Sequence, residues 1–324
     1  MKNCLVGYTG FVGQNLHLKG QYDGLFNSRN ISDAYDSKPD LLVYAGVEGT
    51  KYLANHEPEK DLEAKVEALE NIRRISPKRL VLISSIDVYR DPVMVDEDVI
   101  SDTDNMQPYG LNRFKLEQWV RMEFPEALFV RLPGIYGVGL KKNFVFDLIH
   151  LVPPMLSTEK LRVIVAQDPF LGPFYQNQGN GYWKMICPQK ADYLKLRERF
   201  KKIGFSALHF TDSRGIYQYY PLAKLQWHLE MALAANLKVV NIATEPFAIS
   251  EMVRYIDGCG FENLLDKPIV HYDVRTRHND VFGGSGGYIM TKQEVFTDLM
   301  AYISSEREKL AVDDEEKVTE ALVV

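Results

Sequence analysis

This sequence of 324 residues has few cysteines, no excess of positive charge and no long apolar run. The three cysteines, Cys4, Cys187 and Cys259, lack the spacing of metal ligands or redox pairs, so we expect buried free thiols.

No apolar run approaches the roughly 20 residues of a membrane span, and the opening MKNCLVGYTG lacks the apolar core of a signal peptide. The net charge of −6 offers no basic stripe for nucleic acid. We therefore expect a cytoplasmic protein without nucleic-acid or membrane partners. The seven histidines show no metal-binding spacing, and no metal site is predicted.

Short apolar runs alternate with helical patterns through the first half of the chain. The runs that predict strands are 3–8, 24–28, 40–46, 79–85 and 127–133. Between the third and fourth runs, one apolar stripe recurs every three or four residues on a charged segment, which predicts an amphipathic helix. The stripe consists of Leu62, Val66, Leu69, Ile72 and Ile75. This alternation predicts an α/β fold, a doubly wound parallel sheet of the Rossmann type.

The alternation breaks after residue 139. Residues 151–205 are rich in Pro, Gly and aromatic side chains without a clear period, and a strand–helix–strand pattern returns at 215–244. We therefore predict a Rossmann domain of residues 1–138 and 206–244. A smaller, discontinuous C-terminal substrate domain would comprise 139–205 and 245–304, followed by a charged tail, 305–324.

A glycine-rich turn, GYTGFVG at 7–13, follows the first predicted strand and opens a helix. Glycines at this spacing let the backbone turn tightly and approach a pyrophosphate, which would lie at the positive end of the helix. The alternative is a turn chosen only for tight packing. The predicted cofactor contacts here are Gly7, Thr9, Gly10, Phe11, Val12 and Gly13.

The end of the second predicted strand indicates which dinucleotide binds. NAD enzymes usually carry an acidic residue there for the ribose hydroxyls. This chain has NSRN instead, and Arg29 suits a 2′-phosphate because its planar fork pairs with phosphate oxygens. We predict NADP as the cofactor, with NAD possible; the alternative is a solvated surface arginine.

Four segments together resemble a known family. They are GYTGFVG, LISSIDVY at 82–89, PYGLNRFKLE at 108–117 and RLPGIYG at 131–137. In order and separation they are similar to the extended short-chain dehydrogenases/reductases, the NAD(P)-dependent epimerase/dehydratase group that acts mostly on nucleotide sugars. The resemblance covers 1–138 well and 206–300 more loosely. It implies a homodimer through the helices near 60–75 and 108–122, and further cofactor contacts at Ala45, Gly46, Tyr109, Arg113, Pro133 and Ile135.

The resemblance also implies a catalytic set. Tyr109 would be the acid/base and Ser85 the hydroxyl that binds the substrate oxygen, but the family's lysine, four residues after the tyrosine, is here Arg113. Four residues turn a helix by about 40°, so Arg113 lies under Tyr109, whereas Lys115 at about 240° faces elsewhere. A fixed positive charge favours a phenolate, and arginine supplies one, although it does not release a proton.

The residues after Ser85 bear on the type of reaction. Ile86 interrupts the acidic pair that 4,6-dehydratases of this family use, so we disfavour a dehydratase. Asp87 falls where a related epimerising enzyme has a cysteine, and it is a candidate substrate contact or a surface carboxylate. We expect an NADPH-dependent keto-sugar reductase or an epimerase. The alternative is a non-catalytic NADP-binding redox sensor on the same fold.

Basic residues in the second half are candidates for a substrate diphosphate, which the family's arginines clamp. Arg214 precedes an aromatic strand, and Arg275 and Arg277 lie in a basic turn before the last helix. Asn143, after two lysines, lies in the loop that would complete the site. The alternative for each is a solvated polar residue. Together they predict a nucleotide-sugar substrate.

The NADP assignment can be tested at Arg29. We expect Arg29→Ala to weaken NADPH binding by on the order of 1.5–3 kcal/mol, the range for hydrogen bonds to charged groups, and to leave NADH binding nearly unchanged. Calorimetric titration of wild type and variant with both dinucleotides measures this. A wild type that binds NAD as tightly as NADP contradicts the assignment.

Overall fold

The computed structural model of the protein describes residues 2–100, 102–186 and 189–321, so Cys187 lies outside the described residues. The strands are β1 Asn3–Val6, β2 Gly24–Phe26, β3 Leu41–Tyr44, β4 Leu80–Ser85, β5 Val93–Val95, β6 Leu128–Leu132, β7 Gly134–Tyr136, β8 Met155–Ser157, β9 Tyr175–Asn177, β10 Tyr182–Met185, β11 Ile216–Tyr217, β12 Tyr219–Pro221, β13 Val239–Asn241, β14 Phe247–Ala248 and β15 Asp273–Val274. The α-helices are α1 Phe11–Lys19, α2 Lys51–His56, α3 Pro58–Ile75, α4 Pro108–Glu123, α5 Phe144–His150, α6 Thr158–Gln167, α7 Lys190–Lys202, α8 Leu225–Ala234, α9 Ile249–Asp257 and α10 Lys292–Ala321.

The central sheet has six parallel strands in the order β13-β6-β4-β3-β1-β2. From β1 the chain moves outward to β2, and from β3 it moves the opposite way through β4 and β6. Because parallel crossovers are right-handed, these two directions place helices on both faces of the sheet. The order reverses between β1 and β3, where ligands bind in open α/β sheets. The predicted doubly wound fold is confirmed.

The chain divides into two compact units. The first comprises residues 1–140, 216–252 and 269–298, and the second comprises 141–215, 253–268 and 299–324. The first break, at 140, is close to the predicted boundary at 138. Residues 206–215 lie in the second unit, and most of 245–298 lies in the first, so the observed division differs from the predicted one in the C-terminal half. The roles predicted for the two domains stay predictions.

The second unit contains regular structure that the sequence did not reveal. Strands β8, β10 and β9 form an antiparallel sheet, and helices α6 and α7 supply much of a core beside it. The buried residues of this core are Val152, Leu156, Leu161, Ile164, Leu171, Tyr175, Leu196 and Phe200. They come from short elements with different periods, so no single period runs through the segment.

Two expectations about burial are wrong. The stripe on α3 predicted Val66 inside, but Val66 is 52% exposed, and the inward face is completed by Lys65, Ala68 and Asn71. Cys259 is exposed, whereas Cys4 is buried as a free thiol.

Within the described residues, no helix is both long and apolar enough to cross a membrane. The homodimer through α3 and α4 stays a prediction.

A buried ion pair joins helix α4 to the sheet. Arg131 of β6 donates to Glu117 of α4, with Nη2–Oε2 at 2.6 Å, and both side chains are buried. Ser84 of β4 donates to the same carboxylate at 2.6 Å. Burial acts to lower the pKa of Arg131, but the charge and hydrogen bonds of Glu117 outweigh it and raise that pKa. Helix α4 is thereby held in one register against β4 and β6.

The Glu117–Arg131 pair yields a stability prediction. Glu117→Gln leaves the Arg131 charge buried without its counter-charge, and we expect a loss of about 3–5 kcal/mol in the free energy of unfolding. Replacing both residues by Met should recover most of that loss, because both buried charges are then gone. Urea unfolding followed by circular dichroism measures both effects.

The matched control is Glu123→Gln, the same change on the same helix in an exposed pair with Arg73. It should cost at most about 1 kcal/mol. Equal losses for the two Glu→Gln variants would show that the buried pair has no special role.

Candidate active site

The glycine turn forms a cradle between β1 and α1. Gly7 has a φ of +89°, and a Cβ there would lie 2.6 Å from the carbonyl carbon of Ala45. A Cβ on Gly13 would collide with the Gly7 carbonyl, so both positions require glycine. Gly10 caps α1 without a side-chain hydrogen bond, which leaves the first N–H groups of the helix available to an anion. The turn therefore fits a pyrophosphate.

The other predicted cofactor residues follow the carboxyl ends of neighbouring strands. Arg29 is exposed just beyond β2, and its backbone N–H donates to Asn27 Oδ1 at 2.9 Å within a turn. Ala45 and Gly46 follow β3, and Ala45 N–H donates to Val6 of β1 at 2.9 Å. Pro133 follows β6, and Ile135 lies in β7. Carboxyl ends of parallel strands share one edge of the sheet, so Arg29, Ala45, Gly46 and Pro133 lie at the same edge as the glycine turn. Ile135 lies in β7, which pairs with β12 outside the central sheet.

Tyr109 lies at the start of α4, which Pro108 begins. Its backbone N–H donates to Asn55 Oδ1 at 3.0 Å, and its side chain is largely buried. A Cβ on the next residue, Gly110, would collide with the carbonyl of Asp87, so the helix start lies directly against the segment after β4. Among the described residues, the Tyr109 hydroxyl has no hydrogen-bond partner, which leaves it available to a ligand.

Arg113 lies one turn below Tyr109 and is buried. Its Nη2 donates to the carbonyls of Val47 and Glu48 at 3.0 and 2.8 Å, and its Nη1 donates to Ile83 at 3.3 Å. Its Nε is a buried donor with no partner among the described residues. A Cβ on Gly49 would lie 3.7 Å from Arg113 Nη2 and 3.8 Å from the Tyr109 hydroxyl. The Tyr109 hydroxyl and the Arg113 guanidinium therefore both lie close to Gly49.

Ser85 ends β4 and belongs to a hydrogen-bonded group. Its Oγ accepts from the Asp87 N–H at 3.1 Å and lies 3.3 Å from Asp87 Oδ2. The other oxygen, Oδ1, accepts from Lys51 Nζ at 2.6 Å and from the Tyr272 hydroxyl at 2.8 Å. Burial opposes the charge of Lys51, but the Asp87 carboxylate outweighs it and raises the Lys51 pKa. Asp87 is thus held by a cation and a phenol.

This group opens onto a cavity of about 340 Å³ within the first unit. The residues that line it are Lys51, Asp87, Tyr89, Arg90, Asp91, Pro92, Asn105, Met106, Gln107, Gly110 and Tyr272. Lys51 and Tyr272 are not among the residues predicted from the sequence. Lys51 could have been found by its place a few residues after β3, at the ligand edge of a parallel sheet. Tyr272 has no local signal, because it reaches Asp87 from 185 residues away in the chain.

The three arginines predicted to bind a diphosphate are already paired with acids. In the first unit, Arg275 lies 3.4 Å from Asp273, and Arg277 pairs with Asp98. In the second unit, Arg214 Nη2 lies 2.7 Å from Asp212. Asn143, also in the second unit, caps α5 by accepting from Phe146 N–H at 3.2 Å. Their role in binding a substrate stays a prediction.

Within the described ranges, no group of three or more His, Cys, Asp or Glu residues could hold a metal ion.

No protein-family profile and no curated protein matches the chain. Solved structures do match it. RMD from Pseudomonas aeruginosa, complexed with NADPH, is 16% identical with a TM-score of 0.62, and the match covers 95% of this chain and 100% of that one. dTDP-4-dehydrorhamnose reductase from Yersinia enterocolitica is 13% identical with a TM-score of 0.58, covering 94% and 100%. MoeE5 in complex with UDP-glucose and NAD is 14% identical with a TM-score of 0.59, covering 96% and 100%.

At these identities the likeness shows the fold. The chain has the fold of these solved proteins over nearly its whole length, and the fold implied by the short-chain dehydrogenase/reductase resemblance is confirmed.

Proposed function

We propose that this chain is an NADPH-dependent oxidoreductase that reduces a keto group of a nucleotide-linked sugar, with Tyr109 as the acid. The observation that carries the proposal is the convergence of the Tyr109 hydroxyl and the Arg113 guanidinium beside Gly49. The structural neighbours include reductases and an epimerase of nucleotide sugars, some crystallised with NADPH, NADP or NAD. They support this class of reaction and substrate.

The residues present fit the dinucleotide. The Gly7–Gly13 turn and the start of α1 would hold the pyrophosphate, and Arg29 would hold the 2′-phosphate. The buried Nε of Arg113, a donor without a partner among the described residues, suits a ribose oxygen. When bound, the dihydronicotinamide would supply the hydride.

Side chains of this protein would bind the keto oxygen and donate the proton. The Ser85 hydroxyl would bind the keto oxygen, and the Tyr109 hydroxyl would donate its proton to that oxygen as the hydride reaches the carbon. One hydride and one proton convert the ketone to an alcohol, and Tyr109 is left as a phenolate. The positive charge of Arg113, whose carbon Cζ lies 5.5 Å from the centre of the Tyr109 ring, would stabilise that phenolate.

The proposal is tested at Tyr109. A nucleotide sugar is first selected from a panel by its increase of the melting temperature in the presence of NADPH. With that sugar, we expect Tyr109→Phe to slow NADPH oxidation by on the order of 10²–10⁴-fold, because the transferable proton is lost. NADPH affinity should stay within a few-fold. The matched control is Tyr52→Phe, an exposed tyrosine of α2.

Two results would contradict the proposal. Turnover that survives in Tyr109→Phe removes the acid role. A wild type that binds NADPH but oxidises it with no member of the panel supports the redox-sensing alternative.

Arg113 yields a separate prediction. Arg113→Lys keeps the charge, and we expect a folded, active protein. Arg113→Met leaves three backbone carbonyls and the cofactor without a donor, and it should weaken NADPH binding by on the order of 1.5–3 kcal/mol. Titration calorimetry measures the affinity, with Lys115→Met on the same helix as the control. Unchanged affinity and activity in Arg113→Met would show that the arginine only fills a helix face.

A further inference from the structure

A hydrogen-bond donor and an acceptor lie side by side in the lining of the cavity beside Ser85. Lys51 Nζ and the Tyr272 hydroxyl donate to Asp87 Oδ1 at 2.6 and 2.8 Å, and Lys51 Nζ also donates to the Tyr272 hydroxyl at 3.0 Å. An ammonium carries three N–H donors, and two of those of Lys51 have a partner among the described residues. The Lys51 and Asp87 side chains are 47% and 21% exposed, and a pair exposed to this extent contributes little to stability. Lys51 can therefore donate a further hydrogen bond to a ligand in the cavity.

The second oxygen of Asp87 lies next to Ser85. Asp87 Oδ2 is 3.3 Å from Ser85 Oγ, and in the described part of the chain that hydroxyl is its one hydrogen-bond contact. A carboxylate oxygen has two acceptor positions, so Oδ2 can accept from a ligand as well. Oxygens on adjacent carbons of a sugar are separated by a similar distance. If Ser85 binds the keto oxygen, the group that meets Asp87 is therefore the one on the next carbon.

The cavity also adjoins the start of α4. Gln107 and Gly110, which lie on either side of Tyr109 in the chain, line it together with Lys51 and Asp87. A Cβ on Gly110 would collide with the Asp87 carbonyl, so this turn of α4 packs directly on the segment after β4. The volume of about 340 Å³ falls within the range of about 300–1,000 Å³ that is usual for small-molecule sites. The Lys51–Asp87 pair is thus part of a ligand-sized cavity that adjoins the candidate catalytic residues.

The charges of the pair determine which chemical group fits it. A hydroxyl group can donate to Asp87 and accept from Lys51 while the ion pair stays intact. An ammonium has no acceptor and would compete with Lys51 for the carboxylate, and a ligand carboxylate would be repelled by Asp87. A hydrogen atom in place of the hydroxyl would leave a hydrogen bond to a charged group unmade. The pair therefore favours a hydroxyl group over these three alternatives.

We propose that the Lys51–Asp87 pair is a specificity site that requires a hydroxyl group on the carbon next to the keto carbon of the sugar. The inference rests on the proposed function and narrows its substrate class to keto sugars with a neighbouring, uncharged hydroxyl group. Lys51 is not among the residues that the family resemblance implies. The pair forms and breaks no covalent bond, and it acts by binding one substituent of the substrate.

The experiment compares three substrates of the full-length protein by NADPH oxidation. They are the nucleotide keto sugar that is turned over and two derivatives, in which hydrogen or an amino group replaces the hydroxyl next to the keto carbon. Rates are measured at about pH 6, below the pKa of ordinary α-amino groups, so that the amino compound is charged. We expect the wild type to prefer the hydroxyl compound over each derivative by on the order of 10–100-fold in kcat/KM, which corresponds to one hydrogen bond to a charged group.

Lys51→Met is the decisive variant. It leaves the Asp87 carboxylate without its cation, and the ammonium of the amino compound can then take the place of Lys51. We expect the preference for the hydroxyl over the amino compound to be lost or reversed, a change of about tenfold or more in the ratio of their kcat/KM values. The matched control is Lys60→Met, an exposed lysine of α3, which should keep the wild-type ratio. Because both substrates are measured on one preparation, loss of folded protein cancels from the ratio.

The outcomes separate the two proposals. A wild type that reduces the compound without the hydroxyl as well as the parent sugar overturns this inference and leaves the proposed function intact, and this comparison needs no variant. A wild-type ratio that persists in Lys51→Met also overturns it, and the Lys51–Asp87 pair is then only a contact between two loops. If no sugar of the panel supports NADPH oxidation, the proposed function and this inference both fall.

Discussion

The geometry of the candidate active site depends on the ion pair between Glu117 and Arg131. Helix α4 carries both Tyr109 and Arg113, and this pair holds the helix against β6. The same carboxylate accepts from Ser84, the neighbour of Ser85. One buried side chain therefore joins β4, which carries Ser85, to α4, which carries Tyr109. Separating a buried ion pair leaves an uncompensated charge in the protein interior, so displacements of α4 that break this pair are costly.

The pair extends into a network that reaches the edge of the sheet. Arg131 Nη1 donates to the Tyr89 hydroxyl at 2.7 Å, and that hydroxyl lies within hydrogen-bond distance of the Asn241 side chain on β13. Asn241 N–H donates to Glu97, which also accepts from Thr276. Groups from distant parts of the first unit are thus joined by one chain of hydrogen bonds. A hydrogen-bonded network of this kind favours a rigid scaffold for a site.

Two cations of the candidate site, Arg113 and Lys51, have defined partners. Arg113 is held by three backbone carbonyls and Lys51 by Asp87, so each cation has a fixed position. Arg275 and Arg277 instead meet the acids Asp273 and Asp98. A substrate diphosphate would have to displace those carboxylates from the arginines. The dinucleotide would not have to displace a side chain from the start of α1 or from the Nε of Arg113. The charge pattern therefore favours the dinucleotide more directly than the sugar nucleotide.

The sequence by itself determined the parallel sheet and the glycine turn, because these depend on local period and on glycine geometry. It also placed Arg29, Gly46, Ser85 and Pro133 at or just after the ends of predicted strands, since the order of βαβ units assigns those ends to one edge. It did not show that Lys65 faces inward. The inward face of α3 was predicted from the spacing of its apolar residues, and a lysine does not contribute to that pattern. Lys51 and Tyr272 meet at Asp87, and Arg277 meets Asp98, only because distant segments fold together. The short elements of the second unit share no period along the chain, so only the tertiary structure decided their arrangement.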